Sequence, residues 1–403
     1  MDILFLAHCA PNPPNKGEKV RAFHEISELA RRHRVHLVAF ARFEYESRET
    51  YRLRDRCESV YVETRGFSEG LVRGGLGFAL GGCLNLAFYD SRRMRARIRE
   101  LCSHVKMAAV VAFSLPMVPY APRGLPLVLD MVDVDSFKWE DYSKRRRPGF
   151  LYSLEAARLR RYEAQFAAAA DATLLASKQE VDQLMRLAPA SKARCMENGV
   201  DFDYFDPAAA TTTPELKLRR FVAFVGTMDY FPNVEAASWF AKNVFPELRK
   251  ADPSLEFFIV GNNPSRAVRQ LERHPGVVVT GGVPDVRPYI LAAQWVVAPL
   301  HVARGVQNKV LEALAMGKTV FATTQVCITF GDALPEGLIP CDTVPEYVAC
   351  IQRHAGQPDK PDHDIRRSLR SRFDWSRNLT GLMSAVDGLT QSPAMTDRSA
   401  LDA

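Results

Sequence analysis

Strand-like and helix-like stretches alternate along this chain, and the alternation runs through twice. In the first series, apolar runs at Asp2–Ala7, Val35–Ala41, Val60–Glu63, Ala108–Phe113, Leu127–Met131 and Ala172–Ala176 are interleaved with helical patterns at Lys19–His33, Ser91–His104 and Gly149–Ala169. Runs apolar on both faces suit parallel strands buried between crossover helices, so a doubly wound sheet is predicted. The pattern breaks near Asn198 in a polar, turn-rich and Pro-containing segment, read as a linker over residues 201–219. It resumes as strand Phe221–Val225, helix Val234–Val244, strand Glu256–Val260, helix Ser265–Arg273, strand Val277–Thr280, helix Val286–Ala293 and strand Trp295–Ala298. The predicted fold class is α/β, with Rossmann-like doubly wound domains at residues 1–200 and 220–372. The polar end, residues 391–403, is predicted to be a disordered tail.

A chain of 403 residues can bury two such cores, and 47% hydrophobic with 25% charged residues is ordinary for a globular protein. The net charge of +6 is too diffuse to indicate nucleic acid, although it permits attraction to phosphate-bearing substrates or anionic lipid. Eight scattered cysteines without a CxxC pair suggest reduced thiols, hence a cytoplasmic location. The first residues are too short and uncharged for a signal peptide, and no apolar run is long enough to span a bilayer. The segment 71–88, with Arg73 and five glycines, comes closest. It is either a helix and loop lying over the core or an apolar lip touching a lipid-linked acceptor or bilayer. The basic residues Lys144, Arg145, Arg146, Arg147, Arg158, Arg160 and Arg161 are either a solvated face or a surface for anionic lipid.

The stretch Arg304–Thr323, RGVQNKVLEALAMGKTVFAT, contains a glycine loop, an amphipathic helix closed by Gly317 and a short buried strand. Arg304, Gly305, Gln307, Asn308 and Lys309 surround the helix start, where unpaired N–H groups and the dipole favour phosphate. Glu312 can accept hydrogen bonds from a ribose; alternatively, Lys309 and Glu312 form an ordinary surface ion pair.

The run ARGVQNKVLEALAMG, with ENGVDFDYF, FVGTMDYFPNVEA, FFIVGNNP and GGVPDVRPYI in the same order, resembles the retaining glycosyltransferases of family 4, which have the GT-B fold. It is similar in particular to the bacterial sugar transferases associated with PEP-CTERM and exosortase clusters. That family has a pair of Glu residues; Glu312 matches the second, and Arg304 stands where the first would be. The resemblance implies two Rossmann-like domains facing an interdomain cleft, with residues 373–390 packing back on the first. It implies a donor site at Gly226, Asn233, Arg304, Gly305, Gln307, Asn308, Lys309 and Glu312. The activity implied is metal-independent hexosyl transfer, with retention, from a UDP- or GDP-sugar to a glycan or polyprenyl-linked acceptor in exopolysaccharide biosynthesis. No cofactor is implied, because the nucleotide-sugar is a substrate. The enzyme would be cytoplasmic or peripheral at the inner face of the plasma membrane, where an anionic surface is a further partner.

In the first domain, Lys16, Gly17 and Lys19 follow the first strand and are read as a ligand-facing loop. Asp133 and Asp135 follow strand Leu127–Met131, where a carboxylate can accept or orient the acceptor proton. For Ser136 and Asp135 the alternative is helix capping. Asp133-Val134-Asp135 is also a DxD sequence, which in another transferase fold holds a metal; the second Rossmann-like half argues against it, and no metal site is predicted. A GT-B nucleotide-sugar epimerase and a non-catalytic nucleotide-sugar-binding scaffold are the competing readings.

Overall fold

In the computed structural model, residues 1–14, 17–303, 305–331, 333–355 and 361–391 are described. Lys16, Arg304 and the tail from residue 392 lie outside the described residues. The chain divides into two units, Met1–Glu197 together with the segment from Asn378, and Asn198–Arg377. Segment 201–219, expected as a linker, falls within the second unit and carries the short helix Pro214–Lys217.

The first unit contains β1 (Asp2–Ala7), β2 (Arg34–Ala41), β3 (Ser59–Thr64), β4 (Ala109–Phe113), β5 (Leu127–Val132), β6 (Ala172–Leu175) and β7 (Ala193–Cys195). The second contains β8 (Phe221–Val225), β9 (Glu256–Val260), β10 (Val277–Gly281), β11 (Trp295–Ala298), β12 (Val320–Ala322) and β13 (Leu338–Pro340). Pairing is parallel, in the orders β3-β2-β1-β4-β5-β6-β7 and β10-β9-β8-β11-β12-β13. The central strands β4, β8 and β11 are buried throughout, whereas edge strand β3 alternates between buried and half-buried residues. That difference follows from helices covering both faces at the centre of each sheet. In each sheet the strand order reverses beside its first strand, between β1 and β4 and between β8 and β11. Open sheets of this type bind ligands at the carboxyl ends of those strands.

Helix Gly17–Ala30 connects β1 to β2 and carries Arg21, which is fully buried. Its Nε and Nη2 donate to the two carboxylate oxygens of Asp130 on β5 at 2.6 and 3.0 Å, and Nη1 donates to Met196 O at 2.8 Å. Glu25, one turn along, lies 3.2 Å from Arg21 Nε. Burial and the nearby Asp130 raise the Glu25 carboxyl well above its ordinary range. One guanidinium thus faces two buried carboxylates, and burial disfavours the charged form of Glu25.

Lys19 is corrected here. It was expected in a ligand-facing loop, yet it is buried, with Nζ 2.6 Å from Glu46 Oε1. Glu46 also accepts from the N–H groups of Arg42 and Phe43, and so caps helix Glu44–Tyr51. That helix is polar throughout its length, and its periodicity gave no warning of it. Gly17 opens the first helix and is exposed. Of the two readings of segment 71–88, each fits one part: helix Phe67–Ala79 exposes Phe67, Leu71, Val72 and Leu76, whereas helix Leu84–Phe88 is half-buried, with Leu86 packed against the core. Helix Thr380–Gln391 packs against β4 and β5.

Replacing Arg21 by Met should lower stability by about 3–5 kcal/mol, because it strands buried Asp130 without a counter-charge. Glu25→Gln fixes the neutral form and should shift stability by less than about 1 kcal/mol. Urea unfolding followed by circular dichroism checks both; equal losses would refute the assignment of charge.

Candidate functional site

Two clusters stand at carboxyl ends of strands, one in each unit. In the second unit, β8 runs into Gly226, whose N–H donates to Val260 O at 3.0 Å and prolongs the pairing with β9. A Cβ on Gly226 would lie 2.8 Å from Asn233 Nδ2 and 3.2 Å from Lys309 Nζ. Gly261 follows β9 at φ +146°, and a Cβ there would lie 1.8 Å from Gly226 O. Two bare backbones thus meet where only glycine fits.

Asn233 lies in the first turn of helix Phe231–Trp239, where Pro232 occupies an early position that needs no N–H partner. Its Nδ2 donates to Thr227 O at 2.9 Å, and its Oδ1 accepts from Lys309 Nζ at 2.5 Å. The ammonium also sits 4.9 Å from the Phe224 ring centroid. Lys309 belongs to helix Asn308–Ala315, which begins after Gly305 (φ 60°) and Gln307 and buries Val310, Leu311, Ala313, Leu314 and Ala315. Gln307 Nε2 donates to Gly305 O at 3.2 Å instead of to the helix, and Asn308 Oδ1 accepts from Asn198 Nδ2 at 3.0 Å. The segment at Asn198 is thereby tied to this helix start.

Lys309 and Glu312 are both half-buried. Burial lowers the Lys309 ammonium to about 7, against the opposing pull of Glu312, and raises the Glu312 carboxyl to about 7, against the pull of Lys309. This is not an ordinary surface ion pair. The site holds a poorly hydrated cation among glycine backbones, which suits an incoming anion.

The structure adds residues that were not singled out as candidates. Arg287 lies over the Tyr204 ring at 3.9 Å, donates to Tyr204 O at 2.8 Å and grips Asp285 at 2.7 Å. Burial, with the charges of Asp285 and Glu312, raises the Tyr204 hydroxyl, so this cluster neighbours Glu312 electrostatically. Gly261 was also missed as a site residue. The signal was a glycine directly after a strand, as at Gly226.

In the first unit, β5 ends at Val132 with φ 67°, a strained conformation for a β-branched residue. The turn is held by Val132 N–H donating to Asp130 Oδ1 at 3.2 Å, so the Arg21 pair lies directly beneath it. Helix Asp135–Arg145 follows without a side-chain cap of its own. Glu180 accepts from Val134 N at 2.7 Å, and Glu163 accepts from Ser136 N at 2.9 Å. These borrowed carboxylates replace the cap expected of Asp135 or Ser136. Asp135 pairs with Lys138 at 2.9 Å. Asp133 Oδ1 and Ser136 Oγ are buried and have no hydrogen-bond partner among the described residues. Burial raises the Asp133 carboxyl to about 6 and that of Glu163 to about 7. An unpaired carboxylate titrating there can hold or release a proton near neutral pH.

Comparison with known proteins fits this geometry. The sequence model of a family described as glycosyl transferases group 1 matches residues 219–354. That match covers most of the second unit and none of the first. No curated protein sequence matches the chain. Among solved structures, the chain is similar to Anabaena HepE in complex with UDP, at 13% identity and a TM-score of 0.66, over 96% of this chain and 100% of that one. It is similar to sucrose-phosphate synthase from Thermosynechococcus elongatus at 14% identity and a TM-score of 0.67, over 97% and 100%. It is also similar to WaaG, a glycosyltransferase involved in lipopolysaccharide biosynthesis, at 14% and 0.55, over 98% and 96%. The fold is GT-B.

Because the charge of Lys309 holds the Glu312 midpoint down, Lys309→Met should move that midpoint above about 7. Carboxyl-carbon NMR of labelled Glu across a pH series reads the shift; an unchanged or lowered midpoint would rule out the coupling.

Proposed function

We propose that this chain is a retaining glycosyltransferase that moves a sugar from a nucleoside-diphosphate donor to a glycan or lipid-linked acceptor. The observation that carries the reading is Lys309, half-buried against Asn233 beside the glycine backbones of Gly226 and Gly261, with Glu312 one turn along the same helix. The group 1 match and the GT-B fold support glycosyl transfer. HepE is described in complex with UDP-glucose, which favours a UDP-sugar over a GDP-sugar as donor.

In this reading the Gly226 loop and Lys309 receive the diphosphate, and Glu312 accepts hydrogen bonds from the ribose. Lys309 and the helix dipole stabilise the departing phosphate, a positioning and electrostatic role that needs no obligatory metal. Asp133 orients the acceptor hydroxyl or takes its proton. Retention, the exopolysaccharide pathway and a cytoplasmic location belong to the same proposal. An epimerase would need acid and base groups within the donor cluster. The Lys309–Glu312 pair is the only such set there among the candidate residues, and its position suits phosphate and ribose.

The test is incubation of the purified protein with UDP-, GDP- and ADP-sugars, with and without chelator, while nucleotide release is followed. Slow release from one donor class in chelator is expected. Glu312→Ala and Asp133→Ala should each reduce it about a hundred-fold or more. Full activity in Glu312→Ala would sink the assignment of that residue, and loss of activity in chelator would sink metal independence.

Affinity for UDP-glucose should peak near neutral pH. Diphosphate binding favours protonated Lys309, so affinity falls about ten-fold per pH unit above the Lys309 midpoint. Ribose binding favours ionised Glu312, so affinity also falls below the Glu312 midpoint. Calorimetry across the pH range should show the alkaline limb vanish in Lys309→Met and the acid limb vanish in Glu312→Gln. Limbs retained in both variants would show that other groups titrate.

A further inference from the structure

Helix Phe67–Ala79 is built inside out. Its buried positions are Gly70 and Gly74, while Phe67, Leu71, Val72, Leu76 and the following Leu80 are 50% to 88% exposed. The glycines are required by close packing. A Cβ on Gly70 would lie 2.5 Å from Phe88, one on Gly74 would lie 3.3 Å from Leu84 O, and one on Gly77 would lie 2.3 Å from the Ala87 Cβ. Helix Leu84–Phe88 thus lies against the glycine stripe and leaves the large side chains facing away from it. A water-facing helix normally shows the opposite arrangement.

The apolar face continues onto helix Gly149–Ala169, whose first turns expose Phe150 (70%), Leu151 and Leu154. Continuity is fixed by two contacts from the same helix. Glu155 accepts from the N–H groups of Leu84 and Asn85 at 2.9 and 3.0 Å, and Arg158 donates to Phe78 O and Gly82 O at 2.7 Å each. The turn bearing Leu80 is therefore clamped one turn from Leu151 and Leu154. Beside Phe150 the exposed run Lys144, Arg145, Arg146 and Arg147 forms a basic rim. On helix Phe67–Ala79 the acid is Glu69, which lies 3.4 Å from Arg73.

We propose that this surface docks on an anionic lipid bilayer, the apolar side chains entering the interface and the Lys144–Arg147 rim meeting the headgroups. No described helix is long and apolar enough to cross a membrane. The contact lies along the surface. The helix follows β3, and the basic rim spans the end of helix Asp135–Arg145 and the link to helix Gly149–Ala169, both of which follow β5 and Asp133 in the chain. It rests on the reading above in one respect: an acceptor carried by lipid would be held beside the carboxylate proposed to receive it.

Flotation of the full chain with vesicles tests this. The vesicles are phosphatidylcholine alone and phosphatidylcholine mixed with phosphatidylglycerol. Wild type should float with the mixed vesicles and bind neutral ones about ten-fold less or weaker. Leu76→Glu combined with Leu80→Glu should cut binding to mixed vesicles about ten-fold or more. Arg145→Ala combined with Arg147→Ala should remove its salt-sensitive part. Both double variants should keep the thermal midpoint and UDP-glucose binding of wild type, since the changed side chains lie outside the core and the Lys309 cluster. Failure of wild type to float with mixed vesicles at low salt would overturn the proposal. So would undiminished binding by the Leu76/Leu80 variant, which would mean charge adsorption alone. So would self-association in sedimentation that the same variant abolishes, which would make a second copy the occupant. Absence of UDP-glucose binding in wild type would count against the transfer reading and leave the flotation result standing.

Discussion

A guanidinium without access to water fixes the end of β5. Arg21 spends its charge on Asp130, and Asp130 in turn receives the N–H of Val132, the residue forced into a left-handed conformation. The strain at Val132 persists because the surroundings over-determine it: the carboxylate beneath is locked from two directions, and Val132 O accepts from Ala176 N at 2.7 Å. Relaxing the turn would break a buried charge pair, a change that costs more than the strain it relieves. Asp133 is therefore presented at a fixed place by forces that do not involve its own side chain. The neighbouring backbone N–H groups are engaged elsewhere, that of Val134 by Glu180 and that of Ser136 by Glu163.

The second unit handles charge differently. Lys309 has a neutral partner, the Asn233 amide oxygen, and its nearest opposite charge, Glu312, is itself poorly hydrated. An ammonium in that position is under-compensated. A phosphate arriving there would supply the missing counter-charge without having to displace a strong ion pair, so binding would not be offset by breaking one. The glycines serve the same end. With no Cβ at Gly226 or Gly261, the backbone can come within contact of whatever Lys309 holds.

The strand series was legible because central parallel strands are apolar on both faces, and Phe221–Val225, Glu256–Val260 and Trp295–Ala298 run as read. The grouping of Gly226, Asn233 and Lys309 came from the family resemblance, because a glycine after a strand or a polar residue at a helix start is a weak signal alone; these three side by side are what the structure adds. What failed were roles decided by contacts distant in sequence. Lys19 looks like a loop lysine until Glu46 is folded over it, and helix Asp135–Arg145 has no side-chain cap of its own because Glu163 and Glu180 supply the acceptors. The grouping of Tyr204, Asp285 and Arg287 is equally invisible, since Tyr204 is far in sequence from Asp285 and from Arg287, which opens helix Arg287–Ala292.

Most of these departures from local rules share a location. A β-branched residue at positive φ, a carboxylate without a donor, a half-buried lysine and two glycine backbones in contact all follow the carboxyl ends of parallel strands. The outward-facing leucines follow β3 in the same sense. Elsewhere the central strands are buried, and Ser91, Ser177 and Thr343 cap their helices through their own side chains. The rest of each unit supplies the stability that sustains the departures. The apolar helix fits the same logic, for its glycine stripe lets Leu84–Phe88 pack closely while its leucines make no comparable contact inside the unit. Leucines kept in water at a cost in stability, beside a carboxylate kept unpaired at a similar cost, are what a surface needs if it must meet an apolar phase next to the place where it works.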